Sequence, residues 1–102
     1  MWLEVLREDE IEDGRGVRVD VAGERIAVFR DGERLYAIGD RCSHAEASLS
    51  EGYVFDGEVE CPRHGAIFDL GTGEALALPA TRPVPTYGLR TRDGVVEVEV
   101  SE

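Results

Sequence analysis

The sequence predicts an all-β domain, and three observations carry that prediction. Runs that alternate apolar with charged residues recur: Val17, Val19 and Val21 stand against Arg18 and Asp20, and Val96, Val98 and Val100 stand against Glu97 and Glu99. A two-residue period marks a strand with one face in a core. Glycine-containing pairs punctuate the runs at Ala22-Gly23, Asp31-Gly32, Asp56-Gly57 and Asp93-Gly94, and such pairs favour tight hairpins. No stretch longer than a turn or two carries a helical period. Many short strands joined by glycine turns point to an antiparallel β-sandwich or barrel.

Taken in order, residues 2–6 read as a first strand. Residues 8–13 are acidic enough to form one helical turn before Gly14, since carboxylates suit a helix N-terminus. Residues 16–21 form the first alternating strand, and Ala22-Gly23 turns the chain into another at 24–30. Asp31-Gly32 reads as the next hairpin turn, with residues 34–38 as its second strand and Leu35, Tyr36 and Ile38 supplying core. Residues 45–52 are small and polar except for Leu49. Residues 53–55 and 58–60 flank Asp56-Gly57 as a further hairpin, and 66–70 is a short strand turned by Gly71-Thr72-Gly73. The proline-containing stretch 76–85 reads as extended. Residues 86–91 and 95–100 form the last hairpin around Asp93-Gly94.

At 102 residues the chain suits one small domain, 1–102, with a modest core. No apolar run has the length of a spanning helix, so no membrane association is expected. No basic-then-apolar leader precedes the first strand. Two cysteines used as ligands suit a reducing compartment, and the expected location is cytoplasmic. The formal net charge of -11 argues against nucleic acid, because phosphate binding needs a basic surface. It favours steering towards basic faces of protein partners.

The chemistry is concentrated in two short segments. The only two cysteines and the only two histidines of the chain lie in Cys42-Ser43-His44 and Cys61-Pro62-Arg63-His64. Two thiolates and two imidazoles can close a tetrahedral zinc site. They can also hold a two-iron, two-sulfide cluster with sulfur ligands on one iron and nitrogen ligands on the other. Spacing separates the two. Structural zinc pairs usually leave two to four residues between ligands, whereas only Ser43 separates Cys42 from His44. A one-residue gap suits ligands that go to different irons. A disulfide between Cys42 and Cys61 would leave both histidines unexplained.

The pattern Cys42-x-His44 and Cys61-x-x-His64 resembles the Rieske motif. So do the neighbouring words Ser48-Leu49-Ser50-Glu51-Gly52, His64-Gly65-Ala66-Ile67-Phe68-Asp69, Gly71-Thr72-Gly73 and Leu78-Pro79-Ala80. The likeness covers nearly the whole chain and is to the small Rieske ferredoxins that serve bacterial oxygenases. The chain also resembles the small subunit of assimilatory nitrite reductase. The resemblance implies a Rieske-type antiparallel β base with a small inserted cluster-binding subdomain, near residues 41–70. It implies one [2Fe-2S] cluster bound by Cys42, His44, Cys61 and His64, with the outer nitrogens of both histidines facing solvent and able to titrate as a coupled pair.

The implied role is a low-potential one-electron carrier, not itself an enzyme. Its partners would be a reductase and a terminal oxygenase, with no small-molecule substrate of its own. The alternatives are a nitrite reductase subunit and a zinc-stabilised interaction module. High-potential Rieske proteins carry Ser and Tyr where this chain has Ala66 and Phe68, and a disulfide at the positions of Ala47 and Arg63. Neither Ala66 nor Phe68 can donate a side-chain hydrogen bond, so the potential is expected at the low end of the Rieske range, roughly -150 to +300 mV. Pro79 resembles the family's proline loop over the cluster.

Overall fold

The hairpins follow from backbone that their turn residues permit. The computed structural model describes residues 1–43, 46–63 and 65–100. Its strands are β1 Trp2–Arg7, β2 Gly16–Val21, β3 Glu24–Asp31, β4 Arg34–Gly39, β5 Tyr53–Phe55, β6 Glu58–Glu60, β7 Ile67–Asp69, β8 Ala75–Ala77, β9 Thr86–Tyr87, β10 Leu89–Arg92 and β11 Val95–Glu99. Single 3₁₀ turns occupy Glu8–Glu10 and Leu49–Glu51. In the loops at Ala22-Gly23, Asp56-Gly57 and Asp93-Gly94 both central residues have positive φ. This is the mirror-image turn whose twist matches the flanking strands.

The hairpin between β3 and β4 differs by one residue from the sequence reading. Asp31 pairs with Arg34, so the two central residues are Gly32 and Glu33. Only Gly32 takes a positive φ, 65°, which is the turn with glycine in first place. Asp31 is then free to accept the backbone N–H of Gly57 at 2.6 Å.

All strand pairs are antiparallel, as the sequence predicts. They form three sheets, ordered β1-β11-β10, β2-β3-β4-β9 and β5-β6-β7-β8. The second sheet lies between the other two, and β3 shows why. Its run Ile26-Ala27-Val28-Phe29 is wholly buried, so both faces are covered. Ile26 and Val28 join Val96, Val98 and Val100 in one core. Ala27 and Phe29 join Val59, Phe68 and Leu70 in the other. Successive residues of a strand point to opposite faces, so one strand serves two cores.

The stretch read as one strand at 86–91 is two. Thr86 and Tyr87 pair with β4, while Leu89 onward pairs with β11. Gly88 lies between them, and its carbonyl accepts the N–H of Glu99 at 2.8 Å. The chain changes sheets at that glycine and ties the two sheets at one edge. The stretch read as extended at 76–85 begins inside β8, whose partner is β7. The third sheet thus runs to Ala77, past the range 41–70 expected for an inserted unit.

Candidate metal centre

Both cysteines sit at the mouths of hairpin loops, and the two loops close alike. In the first, β4 ends at Gly39, Arg41 bridges to Ser48, and the N–H of Cys42 donates to the carbonyl of Ala47 at 3.0 Å. In the second, β6 ends at Glu60, and the N–H of Cys61 donates to the carbonyl of Ala66 at 2.7 Å. Each cysteine thus binds the carbonyl five residues ahead. Gly65 completes the second turn with φ +77°, a conformation glycine adopts without steric cost.

Cys42 and Cys61 are 3 % and 1 % exposed. They share one apolar core with Leu49, Val59, Ala66, Phe68, Ala80 and Val84, and no disulfide joins them. Of the four sequence-predicted ligands, the structure brings these two into one core. His44 and His64 lie outside the described residues. Among the described residues no group of three or more His, Cys, Asp or Glu gathers into a metal site. The cysteine pair is therefore the described half of the donor set that the sequence predicts.

A buried pair of unbridged cysteines in twin peptide-closed loops fits a group that takes two thiolate ligands. The lining fits as well. Ala66 and Phe68 are wholly buried in the same core, and neither brings a side-chain hydrogen-bond donor to sulfur.

A third segment closes over this core. Ala80 and Val84 are buried in it, and the carbonyl of Gly73 accepts the N–H of Val84 at 2.9 Å. Gly73 has φ +77°, and the carbonyl of Val84 occupies the place its Cβ would need, so only glycine fits there. Ser43 Oγ donates to the carbonyl of Arg82 at 2.7 Å, joining the first loop to the proline segment. Arg63 donates from its guanidinium to the carbonyl of Glu46 at 3.1 Å, joining the second loop to the first. A cavity of about 340 Å³ lies along that junction, lined by Ala47, Ser48, Pro62 and Arg63. A larger groove, about 850 Å³, lies elsewhere, against Met1, Glu24 and Tyr87, and neither cysteine lines it.

Sequence reasoning missed the polar floor of the first loop. Asp40 is wholly buried. Its carboxylate accepts the hydroxyl of Ser48 at 2.5 Å, the N–H of Ser50 at 2.9 Å and the guanidinium of Arg25 at 3.1 Å. Its backbone carbonyl accepts the N–H of Leu49 at 2.7 Å. Burial by itself would push this carboxyl up, but the donors from Ser48, Ser50 and Arg25 outweigh it and hold the group below its ordinary value. The only signal in the sequence was an acid two residues before Cys42 and a Ser-x-Ser pair after it.

Comparison with known proteins places these features in company. A model of the Rieske [2Fe-2S] domain matches residues 1–88. The anthranilate 1,2-dioxygenase ferredoxin subunit of Burkholderia cepacia is 54 % identical over 81 residues, covering 78 % of this chain and 75 % of the relative. Among solved structures, the ferredoxin of carbazole 1,9a-dioxygenase from Nocardioides aromaticivorans IC177 superposes with a TM-score of 0.91 at 37 % identity, over 96 % of each chain. A structure described as a complex of reduced oxygenase and oxidized ferredoxin in carbazole 1,9a-dioxygenase contains a chain matched with a TM-score of 0.88 at 37 % identity. That match covers 95 % of this chain and 91 % of the other.

Proposed function

The chain belongs to the Rieske [2Fe-2S] domain family, and on that premise we propose that it carries single electrons from a reductase to a terminal oxygenase. It serves as a component of an oxygenase system rather than as the catalyst. One observation supports this above the others: Cys42 and Cys61, in loops closed by matching backbone hydrogen bonds, share a single apolar core. The named relatives, ferredoxins of dioxygenases, point the same way.

In this reading Cys42, Cys61, His44 and His64 would hold the cluster, the thiolates on one iron and the imidazoles on the other, and the bound group would supply one-electron redox chemistry. The remaining work falls to the polypeptide. Leu49, Phe68, Ala80 and Val84 keep water from the sulfur side. Arg63 and Ser43 lace the two loops and the proline segment together, a task for which high-potential relatives use a disulfide. Ala66 and Phe68 offer no donor to sulfur, so the reduced form gains no extra stabilisation and the potential stays at the low end of the Rieske range. The surplus of carboxylates steers the carrier to basic partner faces. Cysteines kept as metal ligands suit the reducing cytoplasm.

The test is a purified holoprotein assayed for iron, acid-labile sulfide and visible colour. Two irons and two sulfides per chain, a red-brown colour that bleaches with dithionite and electron delivery to an oxygenase are expected. One zinc per chain without sulfide would overturn the proposal. Copurification with a large sirohaem-containing subunit would reassign the chain to a nitrite reductase.

A further inference from the structure

Asp40 is a fully buried anion for which the fold alone supplies no reason. Taking a carboxylate out of water is costly, and apolar replacements of buried ion pairs are often as stable or more so. Here the chain gathers Ser48, Ser50 and Arg25, from two separate segments, to keep one carboxylate charged. The location is specific. Asp40 stands at the base of the first loop, two residues from Cys42. Through its carboxylate and its backbone carbonyl it grips three consecutive residues at the start of the 3₁₀ turn that follows the loop, Ser48, Leu49 and Ser50. Its counter-charge is unequally placed. The Asp40 side chain is 0 % exposed and that of Arg25 29 %, so water screens the cation more than the anion.

We propose that Asp40 is a positioning residue of the metal centre: it locks the Cys42 loop at its base, and with Arg25 it sets the reduction potential through a fixed buried charge. This rests on the reading of the chain as a cluster-binding electron carrier. An electron added near a fixed negative charge is disfavoured, so Asp40 lowers the potential and Arg25 opposes it. Two residues of chain span at most about 7 Å, which bounds the separation of the carboxylate from the Cys42 sulfur at on the order of 10 Å. At that separation, with an effective dielectric of about 20, a unit charge changes a one-electron equilibrium by about tenfold.

The experiment is redox titration of the holoprotein and two charge variants, with iron and sulfide measured on each sample. Asp40→Asn keeps the side-chain shape and removes the charge. Its potential is expected to rise by about tenfold in the equilibrium constant, or about 59 mV for one electron. Arg25→Gln leaves the anion uncompensated, and its potential is expected to fall, by about threefold because Arg25 is partly solvated. The opposite signs are the signature, since a merely structural role would loosen the loop in both variants without moving the potential in opposite directions. The double variant should return towards the wild type.

Shifts of the same sign, or no shift in either variant, would overturn the inference while a wild type with intact cluster keeps the carrier reading. Should Asp40→Asn fail to retain iron, Arg25→Gln decides alone: a fall supports the inference, and a rise or no change defeats it. A wild type without iron and sulfide would sink both.

Discussion

Leu49 and Ile26 are side chains of equal carbon count, each fully buried, but they belong to different cores. Leu49 packs with Cys42 and Cys61, whereas Ile26 packs with Val96 and Val98 on the far face of the middle sheet. Truncating either to alanine is expected to cost about 2–5 kcal/mol. For 102 residues, an unfolding entropy of about 2.1 cal/mol/K per residue converts that loss into a fall in Tm of roughly 10–25 °C. On global stability the two variants should therefore look alike.

They should differ in how they hold iron. Leu49 begins the 3₁₀ turn that closes the Cys42 loop, and its N–H bonds the carbonyl of Asp40. A cavity at Leu49 weakens local closure of that loop, and local opening has its own free energy, smaller than the global one. Iron extraction by a chelator, well below Tm, should be at least about tenfold faster in Leu49→Ala than in wild type, since 1.4 kcal/mol of local destabilisation is a factor of ten. Ile26→Ala should stay within about threefold of wild type at equal distance below its own Tm. Equal extraction rates in the two variants would refute the assignment of the cysteines to a core of their own.

The remaining predictions concern potential, pH and metal removal. Ala66→Ser places a hydroxyl in the core beside Cys61, and hydrogen bonds to charged groups are worth about 1.5–3 kcal/mol; the potential should rise by roughly 60–130 mV at about 59 mV per tenfold, read by redox titration. Tyr87 donates its hydroxyl to Glu24, and burial together with that carboxylate pushes its pKa up to about 12 from 10.0. A raised folded value means that the stabilisation is complete below pH 10 and is lost as pH climbs towards 12. The denaturation midpoint of the wild type should therefore drop across that window, while Tyr87→Phe, which has no proton to lose, should show a shallower drop. Removal of the cluster should abolish hydrogen-exchange protection first at Cys42 and Cys61, whose amides close the ligand loops, because metal binding and local folding are coupled. Protection in β3 and β11 should persist, and equal loss throughout would contradict that order.

What the chain encodes by itself is local. A turn such as Asp93-Gly94 needs two residues that tolerate positive φ, and those two residues announce it. The alternation of Val96, Val98 and Val100 fixes a buried face within five residues. Cys42 and Cys61 were legible as neighbours because two cysteines each close to a histidine, in a chain that has no others, admit few chemistries, and the fold does place both in one core.

The tertiary structure decided what depends on distant partners. The break at Gly88 exists because Tyr87 finds Ala37 of β4 while Leu89 finds Val98 of β11, partners that lie far away in sequence on one side and close by on the other. Glu97 alternates outward as the pattern implies. It is nevertheless only 8 % exposed, held at 2.6 Å by Arg90, which itself stacks on Trp2 at 4.2 Å. Asp40 is the sharpest case. An aspartate beside a glycine reads as a turn residue, and only the arrival of Ser48, Ser50 and Arg25 makes it a buried anion. Backbone preference and periodicity act within a few residues and can be read in order. Burial and charge pairing arise only when separate strands meet, so they belong to the fold.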